Sequence, residues 1–208
     1  MTPMAGAVIR PLILASQSQG RQMLMREAGL SFECVSAVID EEAVRSGMEA
    51  EGAKPRDIAD ALAQAKALKV SRKFPDAMVI GSDQILVMPD GDLMRKAGSR
   101  DEAEIQIAKL AGRTHRLISA AVICEEGKAV WRIVDGAKLT MKPLEASTIT
   151  AYVKKYWEDI RHCVGCYRAE AEGAALFDNI EGEQSTIVGM PMRPLLDYLT
   201  IRGYERAL

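Results

Sequence analysis

Apolar residues fall along this chain in short unbroken runs, separated by stretches in which they recur every three or four positions. Unbroken runs suit strands covered on both faces, and the wider spacing suits helices with one buried face. RPLILAS predicts a first strand, after which Ser16 and Ser18 open a helix. Met23, Leu24 and Ala28 would form its inner face and Gly29 its stop. LSFECVSAVIDEE reads as a second strand-like run ending in the acidic cluster Asp40, Glu41 and Glu42. From Arg56 to Phe74 the spacing is helical, with Ile58, Leu62, Ala65 and Val70 inward, and DAMVIGSDQILV follows as a central strand. SRDEAEIQIAKLAG predicts the clearest helix, with a Ser99–Glu102 capping box, a stripe of Ala103, Ile107 and Leu110, and a stop at Gly112. RLISAAVICEEGKAVWRIVDGAKLTMK reads as a hairpin turned at Glu125 to Lys128. A helix from Glu145 to Trp157, a strand around Ala174 to Phe177 and a helix from Pro191 to Arg202 complete the series.

Strands and helices alternate, and the hairpin brings antiparallel pairing into the sheet. The fold class is therefore α/β, an α+β-type mixed sheet flanked by helices. No repeat, low-complexity segment or linker divides the 208 residues, which read as one domain, 1–208. Apolar residues are 48% and charged residues 27% of the chain, the balance of a globular protein. A net charge of -2 offers no general attraction to nucleic acid or membrane, and no basic stripe with interleaved aromatics is present. No apolar run approaches the roughly 18 residues of a spanning helix. The apolar core of MTPMAGAVIRPLILASQSQG is too short for a signal peptide, so the cytoplasm is the expected location. Cys163 and Cys166 in HCVGC have CxxC spacing, but the second pair or paired histidines of a zinc site are missing. Packed, reduced thiols fit better than metal or redox use.

Three polar groups at the ends of the apolar runs carry the candidate chemistry. LASQSQGR takes a strand into a Ser-rich turn and a helix start, which with Arg21 would suit an anion such as phosphate. An N-cap serine beside a surface arginine would look the same. Asp40, Glu41 and Glu42 form a solvated turn or supply carboxylates for a hard cation such as Mg²⁺, which takes one or two carboxylates plus substrate phosphates. Asp83 in VIGSDQILV is harder to explain by solvation, because Ile80 and Ile85 flank it and an unpaired buried charge costs several kcal/mol. Lys66, Lys96 and the GRTH stretch at 112–115 are surface charges singly, but with the carboxylates they resemble a polyphosphate–metal site.

Together these segments resemble the Maf family of nucleotide pyrophosphatases. LILASQSQGRQMLMREAGLSFECVSAVIDEE is similar to the family opening, VIGSDQILV to its GxD strand, KLAGRTH to its SGRTH segment, and FDNIEGEQSTIVGMPMRPLLDYL to its IEGxxxxVVGLPL tail. The likeness runs from about Leu12 to Gly203. It implies a mixed α/β sheet with a cleft between two lobes, a homodimer, and Mg²⁺- or Mn²⁺-dependent hydrolysis of a nucleoside triphosphate to the monophosphate and pyrophosphate. Carried over by position, Asp83 would activate water or link to metal, and Glu41 would bind metal. Lys66 and Lys96 would hold phosphates, with Lys96 also counted in the catalytic set. Ser16, Ser18 and Arg21 would form the triphosphate turn, with Arg113 and Thr114 close by.

Gln84 and HCVGCYRAEAEG resemble the YceF-type branch, which implies 7-methyl-GTP as substrate and places specificity at Gly20, Gln84 and Glu170. A carboxylate such as Glu170 would suit a cationic N7-methylated purine. The turn departs from the family pattern: SQSQGRQ lacks its proline, Gln22 replaces the second arginine and Gly20 the branch's tryptophan. The rival expectation is a nucleotide-binding regulator of cell division with weak or lost catalysis.

Overall fold

The structure is a computed structural model that describes residues 9–205. In chain order the elements are β1 (Leu12–Leu14), α1 (Gln19–Glu27), β2 (Glu33–Cys34), α2 (Glu41–Ala50), α3 (Pro55–Ser71), β3 (Met78–Val87), β4 (Leu93–Met94) and α4 (Arg100–Leu110). There follow β5 (Thr114–Glu125), β6 (Lys128–Met141), α5 (Ala146–Ile160), a 3₁₀ turn (Glu172–Leu176), β7 (Phe177–Glu181), α6 (Gln184–Val188) and α7 (Met192–Ile201). The sheet has seven strands in the order β2-β1-β3-β5-β6-β7, with β4 paired to β3. It is mixed and open: β1 runs parallel to β2 and β3, while β4 and β7 run antiparallel to β3 and β6. The expected class is therefore found.

The chain divides into two compact units. One takes the chain up to Asp83, Ala120–Val134 and the chain from Gly189; the other takes Gln84–Ser119 and Asp135–Val188. The first is built on Leu14, Met25, Met78, Ile80, Ile123 and Leu195. The second is built on Leu86, Ile107, Leu117, Leu139, Val153 and Tyr167, with α5 against α4.

Most elements form where the pattern puts them, and the exceptions have physical causes. Helix α1 buries Arg21 and Met25 and leaves Met23 exposed, so a charged residue takes the place the pattern gave to an apolar one. The acidic cluster starts a helix rather than ending a strand. Asp40 caps α2 through Oδ1, which accepts from the Ala43 amide at 2.9 Å, and Glu41 and Glu42 occupy the first turn, where carboxylates complement the helix dipole. Along LSFECVSAVIDEE only Glu33–Cys34 pairs, and both residues are exposed. In α3, Ala65 is only half-buried, and Lys66 joins Ile58, Leu62 and Val70 on the buried face. Ser99 caps α4 as expected, but Glu102 reaches back to the Gly98 amide rather than to that of Ser99. Glu126 and Gly127, both at positive φ, form the two-residue hairpin turn. The strand expected near Ala174 starts at Phe177, because a 3₁₀ turn occupies Glu172–Leu176.

One close contact brings two charged side chains together. A Cβ on Gly81 would lie 2.6 Å from the Ala67 amide nitrogen and closer still to the Ala63 carbonyl oxygen. Only glycine lets α3 approach β3 this closely, and the approach sets Lys66 of α3 against Asp83 of β3.

Candidate active site

The first unit holds seven of the candidate residues, Ser16, Ser18, Gly20, Arg21, Glu41, Lys66 and Asp83. β1 ends with the Ala15 amide donating to the Ile80 carbonyl at 2.8 Å, so the Ser-rich turn leaves the sheet beside β3. Ser16 Oγ accepts from the Ser18 amide at 3.2 Å, and Ser18 Oγ caps α1 by accepting from the Arg21 amide at 3.5 Å. The turn is thus fixed by its own hydroxyls, one bonded within the turn and one to a free amide of the first helical turn. Arg21 is buried and donates from Nε to the Gly189 carbonyl at 3.0 Å. Its Nη1 donates to the Ser82 carbonyl at 2.9 Å and to Ser16 Oγ at 3.4 Å. Burial lowers its pKa, against the pull of Asp83 and Glu41.

Asp83 is 4% exposed. The adjacent α3 supplies its countercharge: Lys66 Nζ meets Asp83 Oδ1 at 2.6 Å and Glu41 Oε1 at 3.0 Å. Two cations, Arg21 and Lys66, thus stand with two carboxylates, Asp83 and Glu41. Asp83 Oδ2 is buried and has no hydrogen-bond partner among the described residues. Such an orphaned oxygen in a native site calls for a partner from outside the chain or a chemical role. No group of three or more His, Cys, Asp or Glu among the described residues could hold a metal ion. Two carboxylates, one with an unused oxygen, nevertheless fit a hard cation whose shell is completed by phosphate oxygens and water.

The remaining candidates belong to the second unit. Gln84 follows Asp83 but projects to the other face of β3, as strand alternation requires. Its Nε2 lies 3.0 Å from Ser119 Oγ, 3.1 Å from the Thr186 carbonyl and 2.9 Å from the Ile187 carbonyl. Carbonyls only accept, so the amide nitrogen must face them. Ser119 Oγ donates to the Thr186 carbonyl at 2.7 Å, and Thr186 Oγ1 donates to Asp135 Oδ2 at 2.7 Å. Lys96, Arg113 and Thr114 are exposed, and Thr114 Oγ1 shares a 2.9 Å hydrogen bond with Thr140 Oγ1. Glu170 is half-buried. Gly20, in the first turn of α1, is half-buried as well, and Gln22 accepts from Arg26 Nη2 at 2.8 Å.

Cys163 and Cys166 are free thiols, each pushed up to about 11, chiefly by burial. Thiolate chemistry is therefore disfavoured at both. His115, beside Thr114, is buried, with Nε2 at 2.6 Å from the Tyr167 hydroxyl. Sequence reasoning missed Ser82, Ser119, Asp135, Thr186 and Gly189. Ser82 was visible as a polar residue in an apolar strand, and Gly189 as a glycine ahead of MP; the others carried no local signal.

A family model described as Maf-like protein matches residues 11–201 of the chain. A protein of Sphingopyxis alaskensis named nucleoside triphosphate pyrophosphatase is 47% identical over 192 residues, covering 92% of this chain and 97% of its own. One of the same name from Caulobacter vibrioides is 48% identical over 195 residues, 94% and 97% of the two chains. A protein of Rhizobium johnstonii named 7-methyl-GTP pyrophosphatase is 46% identical over 192 residues, 92% and 96% of the two chains.

Proposed function

The chain belongs to the Maf-like protein family, and on that premise we propose that it is a nucleoside triphosphate pyrophosphatase, hydrolysing its substrate to the monophosphate and pyrophosphate. The observation that carries the proposal is the buried Asp83, held through Oδ1 by Lys66 and with Oδ2 unpartnered. Anchored in this way through Oδ1, the carboxylate keeps Oδ2 as the acceptor for the proton of an attacking water. The water oxygen bonds to the α-phosphorus, the bond from that phosphorus to the bridging oxygen breaks, and pyrophosphate leaves. Lys66 stays protonated between two carboxylates and stabilises charge developing on the phosphate oxygens. Ser16, Ser18 and the start of α1 cradle the phosphate chain. Lys96, Arg113 and Thr114 are assigned further phosphate contacts. Asp83 and Glu41 would hold a Mg²⁺ or Mn²⁺ ion, which supplies Lewis-acid neutralisation of the phosphates.

The base assigned to the substrate is a guanine, 7-methylguanine in particular. Two observations support it: some relatives bear that name, and Gln84, with its nitrogen turned inward, offers Oε1 as an acceptor for guanine N–H donors. Glu170 would complement the positive charge of the methylated ring. A homodimer in the cytoplasm completes the proposal; no helix among the described residues is long and apolar enough to cross a membrane.

The test is a panel of canonical and methylated triphosphates, with Mg²⁺, Mn²⁺ or chelator, read by pyrophosphate release from wild type and Asp83→Asn. Metal-dependent release that collapses in the variant is expected. Wild-type turnover in Asp83→Asn would overturn the role of Asp83. Tight nucleotide binding without release across the panel would favour the regulatory reading instead.

A further inference from the structure

Ser82 takes no part in the hydrolytic chemistry and neither does Gly189, yet both are placed among the partners of the buried Arg21. Ser82 Oγ donates to the Gly189 carbonyl at 2.9 Å, and Arg21 Nε donates to that same oxygen at 3.0 Å. Both lone pairs of one carbonyl are therefore engaged. Arg21 Nη1 in turn donates to the Ser82 carbonyl at 2.9 Å and to Ser16 Oγ at 3.4 Å. The Ser82 carbonyl belongs to the peptide that joins Ser82 to Asp83. One buried guanidinium thus ties the Ser-rich turn to the backbone that carries Asp83. Gly189 has φ +123, and a Cβ there would sit 3.3 Å from Arg21 Nε, so any other residue is strained twice over.

We propose that Ser82 and Gly189 are positioning residues that act through Arg21, fixing the distance between the phosphate-cradling turn and Asp83. Arg21 is then a strut whose Nε and Nη1 serve the protein, in place of the fully available phosphate ligand that its position beside the turn suggests. The inference rests on the reading of the Ser16–Ser18 turn as the triphosphate cradle.

Ser82→Ala removes one hydroxyl from the network, and Ser82→Thr restores it. With the full chain and its best triphosphate, Ser82→Ala is expected to lower kcat/KM about tenfold, in line with the cost of small misplacements at a reacting centre, and Ser82→Thr to return it to within about threefold. Backbone hydrogen exchange of the nucleotide-free protein at residues 16–22 is expected to quicken in Ser82→Ala and slow again in Ser82→Thr. A lower Tm with unchanged kcat/KM and unchanged exchange at 16–22 would reduce Ser82 to a packing residue and overturn the proposal. Should wild type release no pyrophosphate from any triphosphate, the functional reading fails, while the exchange comparison still decides whether Ser82 holds the turn.

Discussion

Lys66→Met offers the sharpest test of how the protein keeps a carboxylate in its interior. Methionine matches the lysine stem in length and removes only the charge, leaving Asp83 buried opposite an apolar tip. Breaking a buried ion pair by removing one partner costs about 3–5 kcal/mol, because the remaining charge stays desolvated. Two features pull the expectation towards the lower figure. Arg21 continues to act on Asp83 through space, and the side chain of Glu41, the other partner of Lys66, is 40% exposed and can be solvated. A loss of about 3 kcal/mol lowers Tm by roughly 6–12 °C in a chain of this size. Pairing the change with Asp83→Asn removes the stranded charge, so Lys66→Met/Asp83→Asn should recover most of the lost stability and none of the activity. Urea unfolding of the four proteins gives the stabilities, with the m-value checking that the transition stays two-state. Pyrophosphate release gives the activity, expected to fall at least about 100-fold in Lys66→Met. A single variant within about 0.5 kcal/mol of wild type, or a double variant no more stable than the single, would show that Lys66 does not neutralise Asp83.

Gly81→Ala forces a methyl group against rigid backbone of α3, so a cost at or above the usual overpacking range of about 1–3 kcal/mol is expected. Activity should fall with it, since the same contact sets Lys66 on Asp83; a variant with wild-type Tm and kcat would refute this. Burial lowers the His115 pKa to about 4, so below pH 6.5 the unfolded chain binds a proton that the folded chain refuses. Its contribution is complete above 6.5 and is lost as pH falls to 4, about 3 kcal/mol in all, and His115→Leu should flatten urea stability over that window relative to wild type. Thr186→Val cuts the bond to Asp135 behind Gln84 and should raise KM for guanine nucleotides more than for uridine ones. Equal changes across bases would make that network structural only.

Much of this molecule can be read from spacing. Strand β3, helices α3, α4 and α7 and the hairpin lie where the apolar pattern puts them, because burial enforces that pattern. Helix α2 escaped because its apolar face is short, Ala43, Val44 and Met48, and none of its residues is fully buried, so its cap and acidic first turn are its clearest marks. Asp83, Lys66 and Glu41 were legible as residue types, but their meeting depends on a helix approach that a single glycine permits. Arg21 was read as a turn arginine; its burial is set by carbonyls of Ser82 and Gly189, distant in sequence and invisible to local pattern. Gln84 was legible through the resemblance to one branch of the family, while the direction of its amide depends on carbonyls about a hundred residues away.

The alternation of β3 has a consequence for how such a protein can change over generations. Gly81 and Asp83 meet α3, whereas Ser82 bonds to Gly189 and Gln84 to Thr186 and Ile187. A change of side chain at 82 or 84 is therefore felt first by the backbone of 186–189, and one at 81 or 83 by α3. Arg21 joins the two sets, since it bonds to the Ser82 carbonyl and acts on Asp83, so a lineage that retunes position 82 also disturbs the setting of Asp83.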